Sequence, residues 1–415
     1  VRPIIGVFQG FWRYNGLMKI LLALLVIVLI TFAGYHFSFR KVRVGFLSKG
    51  LWLTGNEYLL VGLALGSYGL GLLDADTLKA LTPLSALVLG WAGMVCGFQF
   101  EISRLKRMRF PYLWAAVISG LVCMAVTAVC CAFFLPLFPG LKALGSPGAI
   151  LALAAAAACT APTGLALVAE KTLAAKRDAI TLLRHIAALD GAIPLMIYAV
   201  AFTVLPLAAE PQAGQGINSL LAGGAVLGLV IVLFAVLLAL RPSQSELLLV
   251  VMGMIVLASG AASLTGFSPL AANFLLGFLL VNTVNAKERI YRMLTSVEKP
   301  AYLLLLIFLG ALWSFSPLWI FVGALLFVLA RLAGKISGLF AATRLLPLPE
   351  KTRARLGLGL LGQGALGLAM MLEFALKHPH STGPLALGVV LGATVFADLF
   401  GPGLLRGIFY REQRP

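Results

Sequence analysis

The feature that most limits what this chain can fold into is the recurrence of apolar runs about as long as a bilayer is thick. An α-helix rises about 1.5 Å per residue, so some 20 apolar residues cross a hydrocarbon core of about 30 Å. With boundaries loose by several residues, thirteen candidate spans can be read: residues 17–37, 58–73, 81–98, 111–138, 149–168, 184–207, 220–240, 247–264, 270–284, 301–313, 317–342, 356–376 and 385–405. Of the 415 residues, 61% are hydrophobic and 11% charged, which excludes an ordinary soluble domain. In lipid every backbone polar group needs an internal partner, and runs of this length supply it as helices. The predicted class is therefore an all-α polytopic membrane protein with about 13 transmembrane helices. Five of the spans are shorter than about 20 residues, and short, Gly-broken or Pro-broken spans are a mark of transporters.

The formal charge of +17 would suit nucleic acid only if the basic residues shared one solvated face. They sit instead in short blocks between apolar runs, so the bilayer is the expected partner and nucleic acid is not. Of the 32 Lys and Arg residues, 24 fall in the loops of one side and six in those of the other. Short cytoplasmic loops carry such an excess, which predicts an outside amino terminus and a cytoplasmic carboxyl terminus in a bacterial inner membrane. The chain divides into a tail and first helix over 1–57, a transmembrane domain over 58–405 with core helices around 149–207 and 301–376, and a short tail over 406–415. No cleavable signal peptide is expected, because the first apolar run is of membrane length. The five cysteines lie in or beside apolar segments without metal-like spacing, which reads as packing.

Two neighbouring spans carry the chemistry. The first contains Thr160-Ala161-Pro162-Thr163-Gly164, and the second contains Leu189-Asp190-Gly191 followed by Pro194. Pro162 has no N–H for the carbonyl of Ala158, and Gly164 permits unusual dihedrals beside it. A freed carbonyl and the hydroxyls of Thr160 and Thr163 would then offer hard oxygen ligands to a dehydrated alkali cation; a simple kink in a packed helix is the bland alternative. Pro194 likewise leaves the carbonyl of Asp190 without its helical donor. A carboxylate at membrane depth is costly and marks a functional site by default. Asp190 is expected to hold either a proton or a cation, unless it is permanently paired with a buried base or hydroxyl.

Arg331 and Lys335 are the two bases inside an apolar span, four residues apart and hence on one helical face. Snorkelling to the cytoplasmic surface is the bland reading of these bases, of Lys335 especially. The glycines around Gln363 read as a second helix break or as close helix packing. Glu373 is expected to reach the interface, Asp398 to bond within the bundle, and His185 to be solvated, all three outside the ion site. No His-rich cluster or Ser-His-Asp arrangement at membrane depth suggests an enzyme.

In order along the chain, several segments resemble the monovalent cation:proton antiporter superfamily, which includes sodium/proton exchangers and Kef-type potassium efflux systems. They are Tyr58-Leu59-Leu60-Val61-Gly62 continuing to Gly66, Gly69 and Gly71; Ala92-Gly93 through Gly97 to Glu101 and Arg104; Cys159 to Gly164; and Ala188-Leu189-Asp190-Gly191. Leu264 to Asn282, Ile307-Phe308-Leu309-Gly310 and Gly359 to Leu368 extend the match to about Pro402. The resemblance implies an inverted-repeat fold with two broken helices crossing near the bilayer centre, Pro162, Gly164 and Gln363 marking the breaks. It implies a cation and proton site at Asp190, Thr160 and Thr163, with Arg331 and Lys335 as charge-compensating bases, Arg331 first, that pair with the acid or brace the breaks. It further implies a homodimer, no cofactor beyond the transported H+ and K+ or Na+, and room for a separately encoded cytoplasmic regulator. One cation for one proton at a single acid would make the exchange electroneutral. Leu189 stands where the family has Asn, Asp or Gln, and Ala161 where it has Asp. Those two changes keep open a second class of function, a transporter-like sensor, channel or membrane subunit that acts with a partner.

Overall fold

The computed structural model describes residues 16–37, 55, 57–161, 177–204, 216–240, 242–284, 287–313, 317–348, 354–379 and 382–411. In chain order the α-helices are α1 (Gly16–Phe37), α2 (Glu57–Leu65), α3 (Ala75–Ala80), α4 (Thr82–Phe98), α5 (Ile102–Arg107), α6 (Phe110–Phe134), α7 (Pro147–Ala158) and α8 (Arg177–Leu189). They continue as α9 (Ala192–Val204), α10 (Ile217–Ala239), α11 (Gln244–Leu264), α12 (Pro269–Thr283), α13 (Lys287–Ala311), α14 (Pro317–Leu345), α15 (Ala365–Lys377) and α16 (Thr382–Arg411). Three short 3₁₀ segments, Leu135–Leu137, Pro139–Gly145 and Ala354–Leu360, lead into α7 and α15.

Local chemistry sets many of these boundaries. Ser146 and Ser268 cap α7 and α12 by accepting from the N–H groups of Ala149 and Ala271, each with Pro at the first helical position. Ser243 and Glu246 close a reciprocal capping box on α11. Asp74 caps α3 through Thr77 and also pairs with Lys19 of α1. Burial works to raise the Asp74 carboxyl, but the Lys19 ammonium and the Thr77 donors outweigh it and hold the group below its usual range.

Among the described residues nine helices are long and apolar enough to cross a membrane, ten if the bent pair Pro139–Gly145 and Pro147–Ala158, with 86° between them, is one span. The expected thirteen runs are all helical in part, yet several are not full crossings. The run 58–73 is helical only to Leu65, because Gly66 to Leu73 folds into a tight loop closed by a bridge between those two residues, with Gly71 at φ 67°. The runs 149–168 and 356–376 are interrupted, and α12 has only 15 residues. In the other direction, the run 301–313 extends back to Lys287 through Pro300, since its first turns are charged on one side and escaped an apolar reading.

The most extensive packing joins α4 with α12 and α6 with α14. Small residues let the backbones approach, which is how helices associate where lipid gives no hydrophobic drive. At Gly338 of α14 an added Cβ would fall 2.8 Å from the carbonyl oxygen of Ser119 on α6. The next residue of α6 is Gly120, where a Cβ would fall 2.5 Å from the carbonyl oxygen of Asp190. One turn of α6 is thus wedged between the helix that carries the buried bases and the turn that carries the buried acid. The outer faces of α1 and α10 present Leu21, Leu25, Leu29, Leu229, Val232 and Val236 outward, as lipid-facing helices do.

Candidate functional site: a buried ion pair at the crossing of two broken helices

Helix α7 ends at Ala158, and Cys159 to Ala161 continue in extended form. The 3₁₀ segment Ala354–Leu360 gives way in the same manner to Leu361 to Gly364, after which α15 begins. The two extended stretches meet as an antiparallel bridge between Thr160 and Gln363. Ala161 N–H donates to the Gly362 carbonyl at 2.9 Å, and Gly364 N–H to the Cys159 carbonyl at 3.3 Å. Irregular backbone at such depth survives only inside protein, where its polar groups find partners.

The remaining carbonyls are taken by side chains. Arg331 Nη2 donates to the carbonyls of Cys159 at 2.9 Å, Gly362 at 2.8 Å and Leu360 at 3.4 Å. Gln363 Nε2 donates to the Ala156 carbonyl at 2.9 Å. Lys335 Nζ donates to the Ala158 carbonyl at 2.5 Å and to Asp190 Oδ2 at 2.7 Å. Lys335 therefore sits at the carboxyl end of α7 and Arg331 where α7 and the 3₁₀ segment both end, and the negative pole of a helix dipole favours a cation there.

Asp190 lies in the turn that separates α8 from α9, with Pro194 unable to donate to its carbonyl, and the regular bonding of α9 starts with Leu195 N–H on the Gly191 carbonyl. It is 2% exposed. Its Oδ1 accepts from Thr160 N–H at 3.2 Å, and its Oδ2 accepts from Thr160 Oγ1 at 2.5 Å as well as from Lys335. A cavity of about 630 Å³ opens beside this group. Cys96, Thr160, Asp190, Gln363, Glu298 and Asp398 are among the residues that line it.

The structure thus brings together Thr160, Asp190, Arg331, Lys335 and Gln363. Pro162, Thr163 and Gly164 lie outside the described residues. Lys335 is fully buried and bonded to Asp190, and Gly338, less than a turn away, packs α14 against α6 there. Two expectations change. Arg331 braces both breaks, and the Ala158 carbonyl, expected to serve a cation, is taken by Lys335. Glu373 does not reach the interface: it is 2% exposed and accepts from Ser268 Oγ at 2.8 Å. His185 contacts the Thr181 carbonyl through Nδ1 at 2.6 Å and faces the Tyr112 ring. Among the described residues no group of three or more His, Cys, Asp or Glu side chains is arranged to hold a metal.

A bundle with two interrupted helices crossing over a buried acid defines a class, the ion-coupled membrane transporters with discontinuous helices at mid-depth. Residues 57–408 match the family described as sodium/hydrogen exchanger, transmembrane, and the chain belongs to that family of integral membrane transporters. Its fold is similar to the structure of the sodium proton antiporter MjNhaP1 from Methanocaldococcus jannaschii at pH 8, with a TM-score of 0.63 and 17% identity over 93% of this chain and 99% of that one. An electron-microscopy structure of the same antiporter gives a TM-score of 0.57 with 18% identity over 96% and 97% of the two chains. No curated protein matches the chain by sequence.

Proposed function

We propose that this protein exchanges a monovalent cation, Na+ or K+, for a proton, one for one, by competition at Asp190. The observation that carries the reading is a buried carboxylate beside a cavity, held by a hydroxyl and an ammonium that can both move off it. Lys335 already has a second acceptor, the Ala158 carbonyl, to which it can retreat when a proton or a cation takes its place on Asp190. Thr160 Oγ1 can turn from donating to the carboxylate to offering a lone pair to the cation. Arg331 and Gln363 keep the crossing intact through both states. Membership of the sodium/hydrogen exchanger family supports antiport as the activity. The reading extends to a homodimer in a bacterial inner membrane, amino terminus outside, supported by the loop-charge asymmetry and the apolar outer faces.

The test is cation-driven proton flux in proteoliposomes, with Asp190→Asn as control. The wild type dissipates a pH gradient on addition of Na+ or K+, and Asp190→Asn, nearly isosteric, reduces this to the leak of empty vesicles. Full flux in that variant would overturn the assignment of the site. A second reading, a transporter-like sensor or membrane subunit, is favoured by one observation: both Asp190 oxygens are already hydrogen-bonded, so the pair also satisfies itself as a structural element. Absence of flux from the folded wild type with every alkali cation would favour it.

A further inference from the structure

The cavity beside Asp190 stops at Leu366 on α15 and at Ala192 on α9. Beyond it the same two helices carry a second set of buried polar groups, which ion exchange at Asp190 does not use. Glu373 lies eight residues past Ala365, and Tyr198 eight past Asp190, about 12 Å along each helix. Glu373 is 2% exposed and Tyr198 fully buried. Ser268 of α12 donates to Glu373 Oε2, but Oε1 has no hydrogen-bond partner, and neither has the Tyr198 hydroxyl.

The setting around these two atoms is apolar and closed. The Tyr198 and Phe202 rings lie 4.8 Å apart, Phe202 meets Phe374 edge-on at 5.6 Å, and His378 stacks on Phe374 at 4.7 Å. Lys377 reaches over the Phe202 ring, with its Nζ 3.7 Å from Glu373 Oε1. Among the described residues Lys377 is the one charged group that acts on Glu373; α4, α7, α13 and α16, which also pack on α15, direct none at it. Tyr198 on α9 feels the Glu373 charge in turn, and His378 is the remaining titratable neighbour. Oε1 has the Lys377 ammonium as an ionic neighbour but no hydrogen bond, and the Tyr198 hydroxyl has none either; a single water, which can both donate and accept, serves the two. An alkali cation does not fit: one carboxylate oxygen and one phenol next to an ammonium give too few ligands.

We propose that Glu373 is a second proton-binding carboxyl of the transport path. A water held between its Oε1 and the Tyr198 hydroxyl connects it toward Asp190, while Lys377 and His378 mark the face from which it is loaded. The proposal rests on the exchange reading at Asp190. In the step it describes, the Glu373 carboxylic acid gives its H+ to the bridging water, the water protonates the Tyr198 hydroxyl as that hydroxyl gives up its own proton, and water in the cavity beside Asp190 carries this proton to the carboxylate as the cation leaves. Glu373 remains as a carboxylate held by Ser268 and Lys377, and takes up a new H+ from the bulk on that face. The bridging water and the Tyr198 hydroxyl pass a proton along hydrogen bonds while the Phe202 and Phe374 rings around them exclude a hydrated cation, so this side is selective by construction.

The experiment compares wild type, Glu373→Gln, Tyr198→Phe and Asp190→Asn in proteoliposomes across pH, with infrared difference spectra of the same proteins titrated without a transport cation. Glu373→Gln keeps the Ser268 bond but cannot titrate, so a purely structural role predicts the wild-type pH profile and cation KM. The proposal predicts a profile displaced by about one pH unit, an exchange rate about tenfold lower at the proton-limited end, and a cation KM within about twofold of wild type. Tyr198→Phe shifts the profile in the same direction by less, and decides the matter if Glu373→Gln does not fold. A titrating carboxyl C=O band, present in wild type and in Asp190→Asn, is lost in Glu373→Gln. An unshifted profile overturns the relay, and a band that survives the substitution overturns proton binding at Glu373. Absence of flux from the wild type would count against exchange at Asp190, leaving proton binding at Glu373 to the infrared difference.

Discussion

At the scale of single residues the site is a balance of buried charges, and the balance is lopsided by design. Asp190 faces two bases, Arg331 and Lys335, and the surplus positive charge rests on the carbonyl ends of α7 and of the 3₁₀ segment before Leu361. Removing one partner of a buried pair leaves the other charge unpaired, at a cost of about 3–5 kcal/mol. Lys335→Met should therefore lower the unfolding temperature in detergent clearly more than Asp190→Asn/Lys335→Met does, because the double change removes both charges. Equal destabilisation by the single and double variants would mean that the pair is not coupled. Thr160→Val should weaken the apparent cation affinity about tenfold, the loss of one hydrogen bond to a charged group, while Thr160→Ser stays near wild type. A KM unchanged in the valine variant would remove Thr160 from the ligand set. Asp190 was legible in the sequence because a carboxylate in an apolar run has no cheap explanation. The partner choice was not: Arg331 and Lys335 share a helical face, and which of them reaches Asp190 depends on where the breaks cross, a tertiary fact.

At the scale of elements, the site exists because three helices are held at unusual distances. Gly120 of α6 touches the Asp190 carbonyl while Ser119, its neighbour, is touched by Gly338 of α14. Gly120→Val inserts a branched side chain where a Cβ alone meets a backbone oxygen at 2.5 Å, an overpacking of at least about 1–3 kcal/mol. It should reduce flux strongly while Gly224→Val, at an open position of α10, leaves it intact. Similar flux in both variants would mean that α6 does not set the position of Asp190. The sequence pointed to the first break through Pro162 and left the glycines around Gln363 open between a second break and close packing. It could not show that the first begins at Cys159, since the antiparallel bridge of Thr160 with Gln363 pairs residues some 200 positions apart. For the same reason the run 58–73 read as one span: hydropathy registers that it is apolar, but not that Gly66 to Leu73 turn back.

At the scale of the whole molecule, the question is what charge moves when the bundle alternates its access. Arg331 is clamped on three carbonyls and stays charged through the cycle. If Lys335 also keeps its proton, moving between Asp190 and the Ala158 carbonyl, then the proton-loaded and cation-loaded sites carry the same net charge. The cycle is then electroneutral, and an imposed membrane potential leaves the initial exchange rate unchanged. If instead Lys335 gave up its proton each time a cation bound, the two loaded states would differ by one charge, and the field would act on that difference with about 2.3 kcal/mol per 100 mV. Exchange measured in proteoliposomes at zero and at inside-negative potential, with equal cation and pH gradients, separates the two. We expect equal rates in the wild type. A rate that rises or falls severalfold with potential would show that Lys335 is itself a proton carrier, and Lys335→Arg, which holds its proton at any working pH, would then restore insensitivity to the potential.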